Sequence, residues 1–311
     1  MIKDSITSKR GRVFYWIERN TSDKCIVFIH GLTADHTLFD KQIDFWSRGY
    51  TVITFDMPLH GESRPYNDFT FYNVADDLKS ILMKEKITHI VIAGQSAGGY
   101  VAQAFTQKYA KYVDAFIGID TTPFGKSYYK WFEIFFTRHF TAMARLYPFN
   151  YYCKTVASAS TYTEESYESL YKSVAKLGKK GMLQCGEAIF KDFPNYDEVK
   201  FNCPVLLVVG EHDMIGYVKK YNEVKNALEI HNGDEDTKEN RKIRDIASSE
   251  IIPENIYYDY KEEIENLFDK LKGNQMKSLD RIKIIEQIKK YCVNLCQYET
   301  RDRDVVFIKS I

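Results

Sequence analysis

A serine stands between two glycines in the stretch Ile87–Phe105, ITHIVIAGQSAGGYVAQAF. The local pattern is Gly94-Gln95-Ser96-Ala97-Gly98, a G-x-S-x-G spacing. A serine hydroxyl becomes a useful nucleophile only when a base takes its proton and nearby N–H groups receive the charge it creates. The flanking residues supply elements that fit this task. Ile90-Val91-Ile92-Ala93 is a β-branched apolar run and reads as a strand, and Gly99 to about Tyr109 reads as a helix. A sharp turn with Ser96 at its apex joins them. The glycines at minus two and plus two remove side chains where strand and helix must approach. Such a turn lifts Ser96 Oγ above the sheet edge and aims the Ala97 amide at the same space, near a helix N-terminus. An ordinary strand-to-helix turn is the bland alternative. The strand and helix on either side favour the catalytic one.

The rest of the chain reads as the scaffold that would position this turn. Residues 10–19 and 24–29 predict two strands separated by the polar Asn20–Asp23, and 50–56 predict a third. Residues 70–85 place Val74, Leu78, Ile81 and Leu82 at helical spacing. After the serine segment, 113–119 predicts another strand ending in Asp120-Thr121-Thr122, and 204–209 a further buried one. Strands alternating with helices predict an α/β fold, a mostly parallel doubly wound sheet with its site at the strands' carboxyl ends. A formal net charge of zero leaves no basic footprint for nucleic acid or an anionic membrane. No apolar run reaches the roughly 20 residues of a membrane span. MIKDSITSKRGRVFYW has no apolar core of an export signal, so a cytoplasmic location is expected. Cys25, Cys153, Cys185, Cys203, Cys292 and Cys296 are then expected to be free thiols.

Two loops bring a family into view. The second strand ends in His30-Gly31-Leu32, and the third runs into Asp56-Met57-Pro58-Leu59-His60-Gly61-Glu62-Ser63. With the serine motif, these resemble serine hydrolases of the α/β-hydrolase superfamily, over about residues 10–228. The second loop is similar to that family's D-x-P-G-x-G-x-S turn, in a variant with His before Gly. The resemblance implies an oxyanion hole from the amides of Leu32 and Ala97, with His30 and His60 as structural residues. It also assigns an acid. Gly210-Glu211-His212-Asp213 follows the strand at 204–209, so Asp213 is the expected acid, with Asp120 as second candidate and His212 structural. An acid in that role holds the catalytic imidazole in its working tautomer. The family also requires a histidine after the acid. His231 is the only one beyond Asp213, directly after the helical pattern YVKKYNEVKNALEI and with no clear strand before it. It is the candidate base in family order. His36 and His139 lie elsewhere, in a loop and in the helical region.

Between 123 and 201 the strand–helix alternation stops and several aromatic-rich helices are expected. Family members insert a helical cap at this point. Tyr128, Tyr129, Trp131, Phe132, Phe135 and Phe136 would line an acyl pocket or, as readily, pack the cap onto the core. The expected organisation is a core of 1–122 and 202–230, a cap of 123–201, and an atypical charged, mainly helical extension of 231–311. In the extension, Leu279, Ile282, Ile285, Ile288, Cys292 and Leu295 form an apolar stripe that could cover the sheet edge or support a homodimer. The implied activity is cleavage of an ester or related acyl bond in a small apolar substrate, with no metal or organic cofactor. The alternative is a catalytically impaired hydrolase fold acting as a binding or scaffold protein, because the usual C-terminal histidine loop is not recognisable.

Overall fold

Alternation sets the first strands. In Gly11–Glu18 (β2), Val13, Tyr15 and Ile17 are buried on one face, while Arg12, Phe14 and Trp16 take the other. In a computed structural model, which describes residues 1–161 and 163–208 and only the backbone of Ser127 and Phe136, β2 lies near one edge of a seven-stranded sheet. The other strands are Ile2–Ser8 (β1), Cys25–Ile29 (β3), Thr51–Phe55 (β4), Ile90–Gln95 (β5), Val113–Ile119 (β6) and Val205–Val208 (β7). Their spatial order is β1-β2-β4-β3-β5-β6-β7. β3, β4, β5, β6 and β7 run parallel, and the β1–β2 and β2–β4 pairs are antiparallel. Every residue of β3 and β4 is buried, as expected of interior parallel strands covered on both faces.

β1 is not foreseen by the sequence reading. Ile2 pairs with Ile17 and Ser8 with Gly11 across a tight turn. IKDSITS is polar and none of its residues is buried because it forms the sheet edge, so it lacks the alternation that marks β2. β2 and β3 follow each other in sequence, but β4 sits between them.

Helices cover the sheet. The buried side of Phe71–Lys84 (α2) carries Phe71, Val74, Leu78, Ile81 and Leu82, and Thr70 caps its start by accepting from the Asn73 amide. Ala97–Lys108 (α3) packs on α2 and on β5. A short helix, Asp40–Trp46 (α1), follows β3. Among the described residues of 123–201 there is no strand; they hold Trp131–Leu146 (α4), Phe149–Ser160 (α5) and Glu164–Asp192 (α6). The Asp192 carboxylate accepts from the Phe71 amide at 2.7 Å and the Tyr196 hydroxyl at 2.6 Å, which ties the end of this helical layer to the start of α2. Among the described residues no helix is long and apolar enough to cross a membrane. Cys25, Cys153 and Cys185 are free thiols, and Cys292 and Cys296 lie outside the described residues.

Candidate active site

Ser96 occupies the turn between β5 and α3 with φ 50° and ψ −117°. Left-handed backbone at a serine is strained and persists only where its surroundings over-determine it. The close contacts are visible at the glycines. A Cβ on Gly98 would fall 2.2 Å from the Ile29 carbonyl oxygen, and one on Gly94 would fall 2.5 Å from the Gly98 carbonyl oxygen. Any side chain there would push α3 off β3 and β5, so the spacing read from sequence has a steric cause. Three hydrogen bonds hold the apex. The Ser96 amide donates to the Ile119 carbonyl at 2.9 Å, and the Ser96 carbonyl accepts from the Gly99 amide at 2.9 Å and the Thr121 hydroxyl at 2.7 Å.

Thr121 follows the end of β6, and its sequence context alone does not mark it as a support of the turn. It is 3 % exposed, and a Cβ on Gly99 would collide with its hydroxyl at 2.1 Å. Thr121→Val keeps the shape and removes the donor to the strained turn. The expected cost is about 1 kcal/mol of stability, read by urea unfolding, with Thr121→Ser restoring it. Equal stability of the valine variant would show that the hydroxyl does not support the turn.

The loop after β3 faces Ser96. A Cβ on Gly31 would lie 3.2 Å from Ser96 Cβ and 2.2 Å from Gln95 Oε1. Leu32, next in line, is half-buried, and Ala97 is buried as the first residue of α3. The structure therefore brings the Leu32 loop, Ala97 and Ser96 to one place. Asp213, His212 and His231 lie outside the described residues. Asp120 sits at the end of β6 with φ 43°, and its amide donates to the Val208 carbonyl at 2.8 Å. The two histidines named outside the family order, His36 and His139, have partners of their own. His36 holds Asp56 through Nδ1 at 2.8 Å and stacks on Trp16 at 3.4 Å. Trp16 is on β2, three strands from β5, roughly 14 Å away at the usual strand spacing. His139 Nδ1 bonds the Phe135 carbonyl at 2.8 Å within α4.

The two loop histidines act as braces. His30 Nδ1–H donates to the Gly31 carbonyl at 2.8 Å, and its Nε2 accepts from the Met57 amide at 2.9 Å, so one ring links the loops after β3 and β4. His60 Nδ1–H donates to the Pro58 carbonyl at 3.1 Å, edge-on to His30 at 5.1 Å between ring centres. Both rings are fully buried. Burial lowers the pKa of His30 and takes His60 from its ordinary 6.5 down to about 3, with the neighbouring His30 charge adding to the effect at His60. Asp56, whose burial would raise its pKa, is instead held low by the His36 hydrogen bond, the nearby His30 and the Glu62 and His36 amides.

A pH dependence follows. Below about pH 6.5 the unfolded chain takes up a proton at His60 and the folded chain does not, and the His30 shift acts in the same direction, so stability falls as pH drops. Above it, both states are neutral and the histidines contribute nothing. Melting scans from about pH 6.5 to 4.5 are expected to show a loss of roughly 1 kcal/mol per pH unit from His60, with His30 acting in the same direction. His60→Asn is expected to make that slope shallower, and an unchanged slope would show that His60 is not held neutral.

Among the aromatics of the helical layer, Phe132 is buried and Tyr129 packs edge-on against Phe193 while its hydroxyl donates to the Pro123 carbonyl. Trp131 touches Phe132 and Phe135. Tyr128 lies in the short turn Lys126–Tyr128 and meets Gly125. Among the described residues no group of three or more His, Cys, Asp or Glu is placed to hold a metal ion.

A mostly parallel sheet with a serine on a strained turn at the carboxyl end of a central strand defines a class, the hydrolase scaffolds of α/β type. The sequence model of the family described as the alpha/beta hydrolase fold matches residues 24–229, more than half of the chain. The protein belongs to the alpha/beta hydrolase family. It is similar to the AB hydrolase superfamily protein YisY of Bacillus subtilis, 32% identical over 79 residues, which is 25% of this chain and 30% of that protein. It is also similar to the 2-(acetamidomethylene)succinate hydrolase of Mesorhizobium japonicum, 26% identical over 125 residues, covering 39% and 45% of the two chains. The chain thus spans less than half the length of these curated relatives in the matched region. A thermophilic esterase from Thermogutta terrifontis shares the fold at a TM-score of 0.58 and 20% identity, over 72% of this chain and 86% of that one.

Proposed function

We propose that this protein is a serine hydrolase that cleaves an ester or related acyl bond of a small apolar substrate. The observation that carries the reading is Ser96 at φ 50°, ψ −117° on the turn between β5 and α3, with the Gly31–Leu32 loop against it. Membership of a hydrolase family and resemblance to proteins named hydrolase and esterase support it. Ser96 Oγ attacks the substrate carbonyl while His231 takes its proton. The amides of Leu32 and Ala97 receive the developing oxyanion, an interaction worth roughly 3–4 kcal/mol for each donor. The tetrahedral intermediate collapses and expels the leaving group, which takes the proton back from His231. Water, deprotonated by the same imidazole, then releases the acyl group and regenerates Ser96. Asp213 orients His231 and stabilises its protonated form. Residues 123–201 act as a cap on a core of 1–122 and 202–230, and 231–311 form an extension.

Labelling with a fluorophosphonate probe tests this without knowledge of the substrate. The folded wild type is expected to label. His231→Ala and Asp213→Asn are expected to label more slowly, by about 10³-fold or more for the histidine. A folded wild type that does not label would overturn the reading in favour of a binding or scaffold protein. Unchanged labelling of His231→Ala would remove His231 from the triad.

A further inference from the structure

Three features of the two loops flanking Ser96 have no part in the chemistry above. Thr33 and Leu59 have φ of 68° and 71°, left-handed backbone on residues with a side chain. Leu59 stands where the D-x-P-G-x-G-x-S pattern has its first glycine, so the chain carries strain that glycine would avoid. The third feature is what these loops touch. Leu32 and Leu59 pack against a cluster formed by Ala144, Leu177, Met182 and Cys185, that is, against α4 and α6.

Helix α6 is itself broken at this level. Gly178 has φ 75° and ψ 162°, and a Cβ there would meet nothing within 4 Å, so glycine is required for its torsion and not for space. The carbonyl just ahead of the break, Leu177, accepts from Arg64 Nη1 at 3.1 Å, and Arg64 Nε donates to the Gly61 carbonyl at 3.0 Å. One guanidinium fork thus joins the loop after β4 to the kink. On the far side, Lys179 Nζ donates to the carbonyls of Arg145 and Tyr147 at 2.9 and 3.1 Å, which fixes the kink to the end of α4.

We infer that the kinked helix α6 holds the loop bearing Leu32 in its working geometry, with Leu59 and Arg64 as the positioning residues that set the register. A strained loop stays strained only if something outside it makes the relaxed form worse. Here that element is α6. Leu59 keeps an unfavourable torsion because its side chain fills the space between the loop and Leu177, Met182 and Cys185. Arg64 keeps the kink at the right height. The helical layer is then part of the scaffold of the oxyanion site as well as a cover. This rests on Leu32 being an oxyanion donor for its functional meaning, while the mechanical coupling stands on its own.

Hydrogen–deuterium exchange of the full-length protein tests the coupling without using Ser96. Leu59→Gly removes the side chain and suits the torsion; Arg64→Gln removes the charged fork; Arg64→Lys keeps one donor for Leu177. Both Leu59→Gly and Arg64→Gln are expected to speed exchange about five- to ten-fold in 31–35 and in 172–186. Exchange in 90–106 is expected to stay at the wild-type rate, and Arg64→Lys to fall between wild type and Arg64→Gln. The fluorophosphonate labelling rate is expected to drop several-fold in parallel. Faster exchange in 172–186 with 31–35 unchanged would overturn the inference, as would an equal rise across all segments. A wild type that does not label would instead sink the hydrolase reading and leave the exchange result to decide the coupling alone.

Discussion

Ser96→Ala is expected to abolish fluorophosphonate capture and to lower acyl hydrolysis by about 10⁴- to 10⁶-fold, with folding intact. The size follows from what is removed. Without Oγ no acyl-enzyme forms, and only the backbone donors and substrate binding remain to assist water. Folding is spared because the serine side chain makes none of the hydrogen bonds that hold the turn; those run through the Ser96 amide and carbonyl. Ser96→Gly separates the two roles further. At φ 50° and ψ −117° glycine is relieved of strain that serine carries, so this variant is expected to be equally inactive but more stable by about 1 kcal/mol. Residual labelling of Ser96→Ala, with the modified residue located elsewhere by mass spectrometry, would assign the chemistry to another nucleophile.

The second large effect is on stability. Asp77 lies on the buried face of α2 at 1 % exposure. Its carboxylate accepts from Arg10 Nη2 at 2.6 Å and from the Tyr66 hydroxyl at 2.5 Å, and Arg10 Nε donates to that same hydroxyl at 2.9 Å. Three segments meet in this network: the turn between β1 and β2, the loop after β4, and α2. Asp77→Ala leaves the Arg10 guanidinium half-buried without its counter-charge, and the expected loss is about 3–5 kcal/mol. Urea unfolding measures it directly. Replacing both partners, Arg10→Met with Asp77→Leu, is expected to recover most of the loss, because no orphaned charge remains. A single Asp77→Ala change costing under about 1 kcal/mol would show that the network is solvated and contributes little.

The strands β2 to β6 were legible because each is a run of β-branched or alternating residues whose burial depends on its own composition. The turn at Ser96 was legible for a related reason. Gly94, Ser96 and Gly98 lie within one turn of chain, and the contact that demands glycine at 94 is with Gly98 in that same turn, whereas the one at 98 is with the Ile29 carbonyl at the end of β3. The aromatic-rich helices of 123–201 were also readable, from helical spacing. Leu59 carried a signal that went unread, a leucine in the place of the motif's glycine, and its φ of 71° explains it.

Other features depended on partners distant in sequence. β1 has a polar composition and becomes a strand only because β2 offers it an edge. β2 and β3 are neighbours in the chain but not in the sheet, since β4 inserts between them. The Thr121 bond to Ser96, the edge-on pair of His30 and His60, and the contact of Leu32 and Leu59 with α6 join segments from 25 to over 100 residues apart. The amino-acid sequence by itself determined the torsions and short-range steric needs of each element, because those act between residues a few positions apart. Only the tertiary structure decided which elements meet and which buried groups brace the site. Those contacts arise from closing long loops and burying surfaces together, and no local pattern encodes the partner that closure selects.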